Sequence, residues 1–237
     1  YQDFVPTEDS TVIKRLKDAG SVLLGKLNLS ELAMGGTQNP PWGIPANPWD
    51  FDCTPGESSS GSGVALAAHL CAASMGEDTG GSGRGPASYC GVVGLRPTFT
   101  RVSRYGMTHM CWFMDAAAPM TKTVEDCAVM LGVIAGYDEN DPYTSHKPVP
   151  DYTARMRDGA KGLRVGLIKE LHQTRDMHPD VRSAIEASLE TLREMGAEIK
   201  EVSIPLAGLA GAIFVGVADT EGAGARDEIL RNQPGDL

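Results

Sequence analysis

The chain has 237 residues, an apolar fraction of 41% and a net charge of −10 at pH 7. This length supports a substantial core, and the acidic balance argues against binding to nucleic-acid phosphates. No run of about 18 apolar residues occurs, which argues against a membrane span, and the first residues show no signal peptide. Five cysteines without a C-x-x-C pair favour free thiols in a reducing compartment, so we expect a cytoplasmic protein.

Apolar periodicity and breaker residues predict alternating helices and strands from the N-terminus onward. In the first half we expect a helix over 7–20, a buried strand over 21–25, a helical turn over 29–34, a tightly packed helix over 59–70, a strand over 72–76 and a short helix over 86–91. The stretch 35–55 is rich in Gly, Pro and Asn and is predicted to be irregular.

The second half continues the alternation. We expect a helix over 123–136, a strand over 163–168, a helix over 178–195, a strand over 197–204, and a helix around 218–230 that ends before Pro234-Gly235. Helices and strands that alternate in this way predict an α/β fold, with helices covering a central sheet.

Two loops rich in Gly and Ser, 55–63 and 76–87, flank an alanine-rich element. A flexible linker is the simplest alternative, but a linker needs neither Asp78 nor Arg84 among its glycines. Phosphate-binding glycine motifs are absent, and the G-x-S-x-G elbow fails because Arg84 stands where its last glycine is required. His69 and Cys71 are a close pair of metal-ligand types, but nothing completes a four-ligand set, so we expect neither a metal nor a cofactor.

The two loops resemble the signature of the amidase family, through GESSSGS over 56–62 and DTGGSGRGPA over 78–87. The likeness extends over most of the chain, through GKLNLSE (25–31), YCGVVGLRPT (89–98), RVSRYG (101–106) and PMTKTVED (119–126). The resemblance implies the amidase-signature fold, a mixed β-sheet with helices on both faces. It also implies hydrolysis of a carbon–nitrogen amide bond by a Ser–Ser–Lys triad.

The resemblance assigns roles by motif position. Ser82 matches the nucleophile that forms the acyl-enzyme, and Ser58 matches the bridging serine, which a cis peptide bond precedes. The backbone N–H groups of Thr79, Gly80, Gly81 and Ser82 match the oxyanion hole. These roles suit the chemistry, since a serine hydroxyl needs a base to take its proton and converging N–H groups stabilise an oxyanion.

Three further residues are expected to support the site. Asp78 and Arg84 flank the second loop and are predicted to hold it. A purely structural ion pair and a direct contact with substrate both remain open for them. Ser59, next to the bridging serine, is the third supporting residue.

The lysine base of the triad has no match in the sequence, because its position in the family falls before Tyr1. Eight lysines are present, none at the matching position: Lys14, Lys17, Lys26, Lys122, Lys147, Lys161, Lys169 and Lys200. We therefore expect 1–237 to be a partial amidase signature domain. It would lack the N-terminal segment with the catalytic lysine and the C-terminal part, and would be catalytically incompetent by itself.

Two positions depart from the family pattern. Glu57 replaces the glycine that usually precedes the bridging serine. Gly83 replaces a bulky apolar residue directly after the nucleophile, and we hypothesise that this widens the pocket for the acyl group of the substrate.

The leading prediction is a hydrolase acting on a small or aryl amide, or a related carbamate. Its expected partner is a small-molecule amide substrate, with no direct contact to nucleic acid or membrane, and a homodimer is left open. The stretch 105–119 suits an apolar acyl pocket, although ordinary core is an equally good interpretation. One alternative is the glutaminase (A) subunit of a tRNA-dependent amidotransferase. An alternative of another class is a non-catalytic interaction module.

Overall fold

The computed structural model describes residues 5–34, 42–174, 176–227 and 231. The chain divides into two compact units, one formed by Tyr1–Thr153 with Val217–Leu237 and the other by Ala154–Gly216. The helices are α1 (Thr11–Asp18), α2 (Ser60–Ala67), α3 (Arg84–Cys90), α4 (Val124–Ile134), α5 (Lys169–His172), α6 (Pro179–Glu194) and α7 (Ala210–Ala225). The strands are β1 (Ala73–Glu77), β2 (Val93–Gly94), β3 (Ala117–Thr121), β4 (Arg164–Ile168) and β5 (Glu198–Val202).

The α/β class is confirmed, and the described strands form two small sheets. In the larger unit, β3 pairs antiparallel with β1 on one side and with β2 on the other. All five residues of β3 are buried, so this strand is the centre of the unit. Val12 of α1 and Ile134 of α4 join Ala117 of β3 in one apolar core, which holds the helices against the sheet.

Helices α2 and α3 are in contact, with α2 beside β1 and α3 beside β2. Small residues allow this approach: a Cβ atom added at Gly63 would lie 2.8 Å from the Pro86 carbonyl oxygen, closer than real side chains come. Leu66, Ala87 and Met120 form the apolar cluster beneath the two helices. The low helix propensity of a glycine-containing helix such as α2 is therefore offset by close packing.

The smaller unit contains one parallel strand pair, β4 and β5, in which Arg164 is opposite Glu198. Helix α6 begins with Pro179 at its first turn, a position where the missing N–H group costs nothing. The ring of His178 caps this helix by accepting a hydrogen bond from the Asp180 N–H group.

Three sequence expectations need correction. The stretch 21–25 forms no strand, and Val22 and Leu24 are 82% and 75% exposed, so its apolar residues have no sheet to join among the described residues. Strand β3 was not expected, and it contains Pro119, a residue type that is rare in central strands. Helix α7 begins at Ala210 rather than near Ala218.

Some expectations lie outside the described residues, namely the loop over 35–41, the end of the last helix at Leu230 and the Pro234-Gly235 stop. Among the helices that the structure describes, none is both long and apolar enough to cross a membrane.

Candidate active site

The segments that carry Ser58 and Ser82 lie side by side. A cis peptide bond joins Glu57 to Ser58, and Ser58 is only 2% exposed. The next backbone N–H group, that of Ser59, donates to the Ser82 carbonyl at 3.2 Å. From the other side, the Ser30 N–H group donates to the Ser58 carbonyl at 3.0 Å. Backbone bonds therefore fix the turn that holds Ser58 against the loop that holds Ser82.

Ser59 contributes its side chain to the same junction. Its hydroxyl oxygen accepts a hydrogen bond from the Glu77 N–H group at 3.1 Å and donates to the Glu77 carbonyl at 3.3 Å. These two bonds tie the start of α2 to the end of β1. Ser59 is thus engaged with backbone and holds the two segments together.

Asp78 organises the glycine loop, residues 79–83, from within. Its carboxylate is fully buried and accepts hydrogen bonds from the N–H groups of Gly81 at 2.9 Å, Gly83 at 3.3 Å and Arg84 at 3.1 Å. The Arg84 guanidinium donates to both carboxylate oxygens, through Nε at 2.9 Å and Nη2 at 3.0 Å. Burial alone would raise the pKa of Asp78, but these bonds from Arg84 and the charge of Arg96 hold it below its usual value.

Gly81 is one of the expected oxyanion donors. The Gly81 N–H group already donates to Asp78, so it is engaged within the loop. The ion pair between Asp78 and Arg84 holds the loop, which agrees with one of the two interpretations that the sequence left open.

The antiparallel register of β1 and β3 extends past the strand ends. Glu77 is opposite Ala117, and the Asp78 N–H group donates to the Ala116 carbonyl at 2.8 Å. One step further, this register sets Thr79 opposite Asp115. The Thr79 hydroxyl donates to Oδ1 of Asp115 at 2.6 Å.

Sequence reasoning missed Asp115. Its fully buried carboxylate also accepts hydrogen bonds from the N–H groups of Met110 and Cys111, each at 2.9 Å. Burial would raise the pKa of Asp115, but the nearby His109 ring and the hydrogen bonds from Thr79 and the two N–H groups keep it below its usual value. A single acidic residue within an apolar stretch was the available signal.

Glu77 is the second acidic group that sequence reasoning missed. Its Oε1 atom is buried without a hydrogen-bond partner among the described residues. Burial, followed by the nearby charge of Asp115, raises the pKa of Glu77 from 4.5 to about 8, while Arg226 opposes the shift. Two carboxylates close together in a buried site cannot both ionise easily, which favours the protonated form of Glu77.

The segment that precedes Asp115 lines a pocket. Its volume is about 720 Å³, and residues on its lining include Arg104, His109, Trp112, Phe113, Tyr143 and Glu221. The rings of His109 and Trp112 stack with centroids 3.7 Å apart. We call His109, Trp112 and Phe113 the aromatic wall. The buried guanidinium of Arg104 lies 5.2 Å from the ring of Tyr143, as measured to its centroid.

The environment of Gly83 contradicts its expected role. A Cβ atom at this position would lie 2.5 Å from the Cβ of Ala118 in β3, and 3.4 Å from the Cβ of Asp78. The missing side chain therefore faces the sheet rather than a substrate pocket. The hypothesis that Gly83 widens the acyl pocket is wrong, and Gly83 instead allows β3 to approach the glycine loop.

Other candidate chemistry does not assemble in the described part of the chain. No group of three or more His, Cys, Asp or Glu side chains there is arranged to hold a metal ion. Lys122 contacts Nδ1 of His69 through its ammonium group at 2.8 Å, on the exposed surface.

Comparison with known proteins identifies the family. The model of the Amidase family matches residues 1–235. The chain belongs to the amidase family. Its fold is that of amidase-signature proteins.

Similar proteins include the A subunit of the Glutamyl-tRNA(Gln) amidotransferase from Syntrophobacter fumaroxidans, 47% identical over 221 residues, which are 93% of this chain and 45% of that protein. The protein of the same name from Geobacter sulfurreducens is 47% identical over 92% of this chain and 45% of its own length. The chain thus spans about half the length of these relatives.

Two solved structures of similar proteins have the same fold as this chain. The crystal structure of the Glutamyl-tRNA(Gln) amidotransferase A subunit from Thermotoga maritima has a TM-score of 0.91 at 38% identity, covering 94% of this chain and 49% of that one. The native peptide amidase from Stenotrophomonas maltophilia has a TM-score of 0.84 at 35% identity, covering 100% of this chain and 50% of that one.

Proposed function

We propose that Ser82 is the nucleophile of an amide hydrolase and that Ser58 passes its proton onward. The observation that carries this is the junction of the two segments, in which the Ser59 N–H group donates to the Ser82 carbonyl at 3.2 Å. The lysine base belongs, in this proposal, to residues that precede Tyr1. The intact site would then hold nucleophile, relay and base together.

The reaction follows from these positions. The Ser82 hydroxyl attacks the amide carbonyl while its proton passes through Ser58 to the base, and the carbonyl oxygen becomes an oxyanion. The same relay returns a proton to the leaving amine, which departs and leaves an acyl-enzyme. Water then attacks the acyl carbon, with its proton entering the relay, and releases the acid and free Ser82.

The glycine loop stabilises the oxyanion in this proposal. Because Asp78 binds the N–H groups of Gly81, Gly83 and Arg84, the donors proposed for the oxyanion are those of Thr79, Gly80 and Ser82. One such donor contributes roughly 3–4 kcal/mol to transition-state stabilisation. The loop is held before substrate arrives, so little reorganisation accompanies the reaction.

Two substrate classes have separate support. The side-chain amide of glutamine is supported by the relatives, since those at 47% identity are named as the A subunit of Glutamyl-tRNA(Gln) amidotransferase. A small or aryl amide, or a carbamate, is supported by the aromatic wall beside the pocket. The first class requires partner subunits and tRNA for full activity, whereas the second works alone. Five free cysteines support a reducing, cytoplasmic setting for either.

Covalent labelling of the full-length gene product tests the nucleophile. A fluorophosphonate probe is expected to label the wild type and the Ser88→Ala control, in which an exposed serine of α3 is removed. Ser82→Ala should lose the label, and Ser58→Ala should label much more slowly. Equal labelling of the wild type and Ser82→Ala, or no labelling of either, would refute the proposal and favour a non-catalytic interaction module.

Hydrolysis assays separate the substrate classes. Glutaminase activity that rises when partner subunits and glutamine-specific tRNA are added would support the amidotransferase function. Turnover of benzamide or a nitroanilide by the protein alone, with glutamine inert, would support the stand-alone amidase. Ser82→Ala serves as the blank in both assays.

A further inference from the structure

Asp115 connects two parts of the site that the backbone alone leaves separate. Its Oδ1 atom accepts a hydrogen bond from the Thr79 hydroxyl at 2.6 Å, and its Oδ2 atom accepts one from the Met110 N–H group at 2.9 Å. The Cys111 N–H group lies 2.9 Å from both oxygens. One carboxylate therefore binds the first residue of the glycine loop and the segment that leads to the aromatic wall.

The connection is strong because Asp115 is 0% exposed. Hydrogen bonds to an ionised acceptor are about twice as strong as neutral ones, and water does not compete in a buried site. Four contacts from fixed donors leave the carboxylate one orientation. The Thr79 side chain, and with it the direction of the Thr79 N–H group, is set by that orientation.

Asp78 does not bind the side chain of Thr79. Its carboxylate binds the later N–H groups of the loop, at Gly81, Gly83 and Arg84. Arg96 lies 3.4 Å from the Thr79 carbonyl oxygen, which fixes the peptide that follows Thr79. The hydroxyl of Thr79 is held by Asp115.

The Asp115 carboxylate also contacts the aromatic wall. Nδ1 of His109 lies 3.4 Å from Oδ2 of Asp115, and the His109 ring stacks on Trp112. A displacement of the wall by a bound group would therefore act on the carboxylate whose other oxygen holds Thr79.

We propose that Asp115 is a positioning residue for amide hydrolysis, which fixes Thr79 in the glycine loop and links it to the aromatic wall of the pocket. This role rests on the proposed function, since it acts through the oxyanion that Ser82 generates. Substrates that fill the pocket would gain in kcat rather than only in KM, because the link acts on the transition state.

Thr79→Val is the sharpest test, because valine has the shape of threonine without the hydroxyl and leaves the bonds from Met110 and Cys111 to Asp115 intact. In the full-length protein we expect kcat for an amide to fall about 10- to 100-fold with KM within about twofold, by analogy with a displaced oxyanion donor. Thr79→Ser restores the hydroxyl and should recover most of kcat. Asp115→Asn should lower kcat at least as much as Thr79→Val.

Three outcomes would refute the positioning role, and a fourth would refute the proposed function. Thr79→Val with wild-type kcat but a lower melting temperature would show a purely structural contact and refute the positioning role. A raised KM with unchanged kcat, or failure of Thr79→Ser to recover kcat, would also refute it. If Ser82→Ala still hydrolyses the amide, the proposed function itself is wrong, and the positioning role falls with it.

Discussion

Replacement of Glu77 by glutamine should remove a pH dependence that the wild-type fold carries. Glutamine has the size of glutamate, donates through its amide towards Asp115 and never ionises. In the wild type, the pKa of Glu77 is raised from 4.5 to about 8 by burial and by Asp115. The native state therefore keeps a proton on Glu77 at pH values where the unfolded chain has released it.

The linkage between proton binding and folding gives the sign and size of the effect of Glu77 on the free energy of unfolding. Because the native pKa is the higher one, the contribution of Glu77 to stability is fully present below pH 4.5 and falls as pH rises to about 8. Each pKa unit corresponds to about 1.4 kcal/mol, so the whole range is worth at most about 5 kcal/mol. Between pH 6 and pH 9 the loss is about 3 kcal/mol, since two of those pH units lie below the native pKa.

Urea unfolding of the full-length protein at pH 6 and pH 9 measures this loss. The two variants share every other ionisable group, so the quantity of interest is the loss of stability of the wild type minus that of Glu77→Gln. Glu125→Gln, at the exposed start of α4, is the matched control and should follow the wild type. If Glu77→Gln loses as much stability as the wild type between the two pH values, Glu77 does not hold the proton.

Gly83→Ala should lower the free energy of unfolding by about 1–3 kcal/mol, because its Cβ would lie 2.5 Å from that of Ala118. Ala118→Gly in the same background should recover most of this loss, and equal stability of the single and double variants would contradict the packing. Asp78→Asn should cost about 1–3 kcal/mol and slow fluorophosphonate labelling of Ser82, since it leaves the N–H groups of the glycine loop without an ionised acceptor. Arg84→Met keeps the N–H bonds to Asp78, with Arg96 still beside it, and should slow labelling less than Asp78→Asn; slower labelling of Arg84→Met would count against Asp78 as the centre of the loop.

Local pattern was enough to predict several elements of the fold. The amphipathic repeat that predicts a helix over 178–195 is α6, and the acidic first turn after Thr123 is α4, whose first turn is capped by the Thr123 hydroxyl. Both are determined by neighbours three or four residues apart. The stretch 21–25 has the composition of a buried strand, but composition does not supply the neighbouring strand that a sheet needs.

Local sequence pattern also predicts part of the site. Ser58 and Ser82 are carried by a contiguous motif, and their segments do lie side by side. Asp115 and Glu77 depend instead on the β1–β3 register, which places distant residues opposite one another. Strand β3 contains Pro119, whose carbonyl accepts a hydrogen bond from Leu95. Because proline is rare in central strands, local pattern gives little sign of the strand on which the register depends.

The contact between α2 and α3 has a consequence for motion. Ser58 lies just before α2 and Ser82 lies just before α3, and the two helices interlock where Gly63 meets Pro86. Separating the serines would require the helices to part, so we expect the pair to move as one rigid body with slow amide hydrogen exchange. Any millisecond opening during turnover would then arise in the aromatic wall, while the distance between the two hydroxyl groups stays constant from one catalytic cycle to the next.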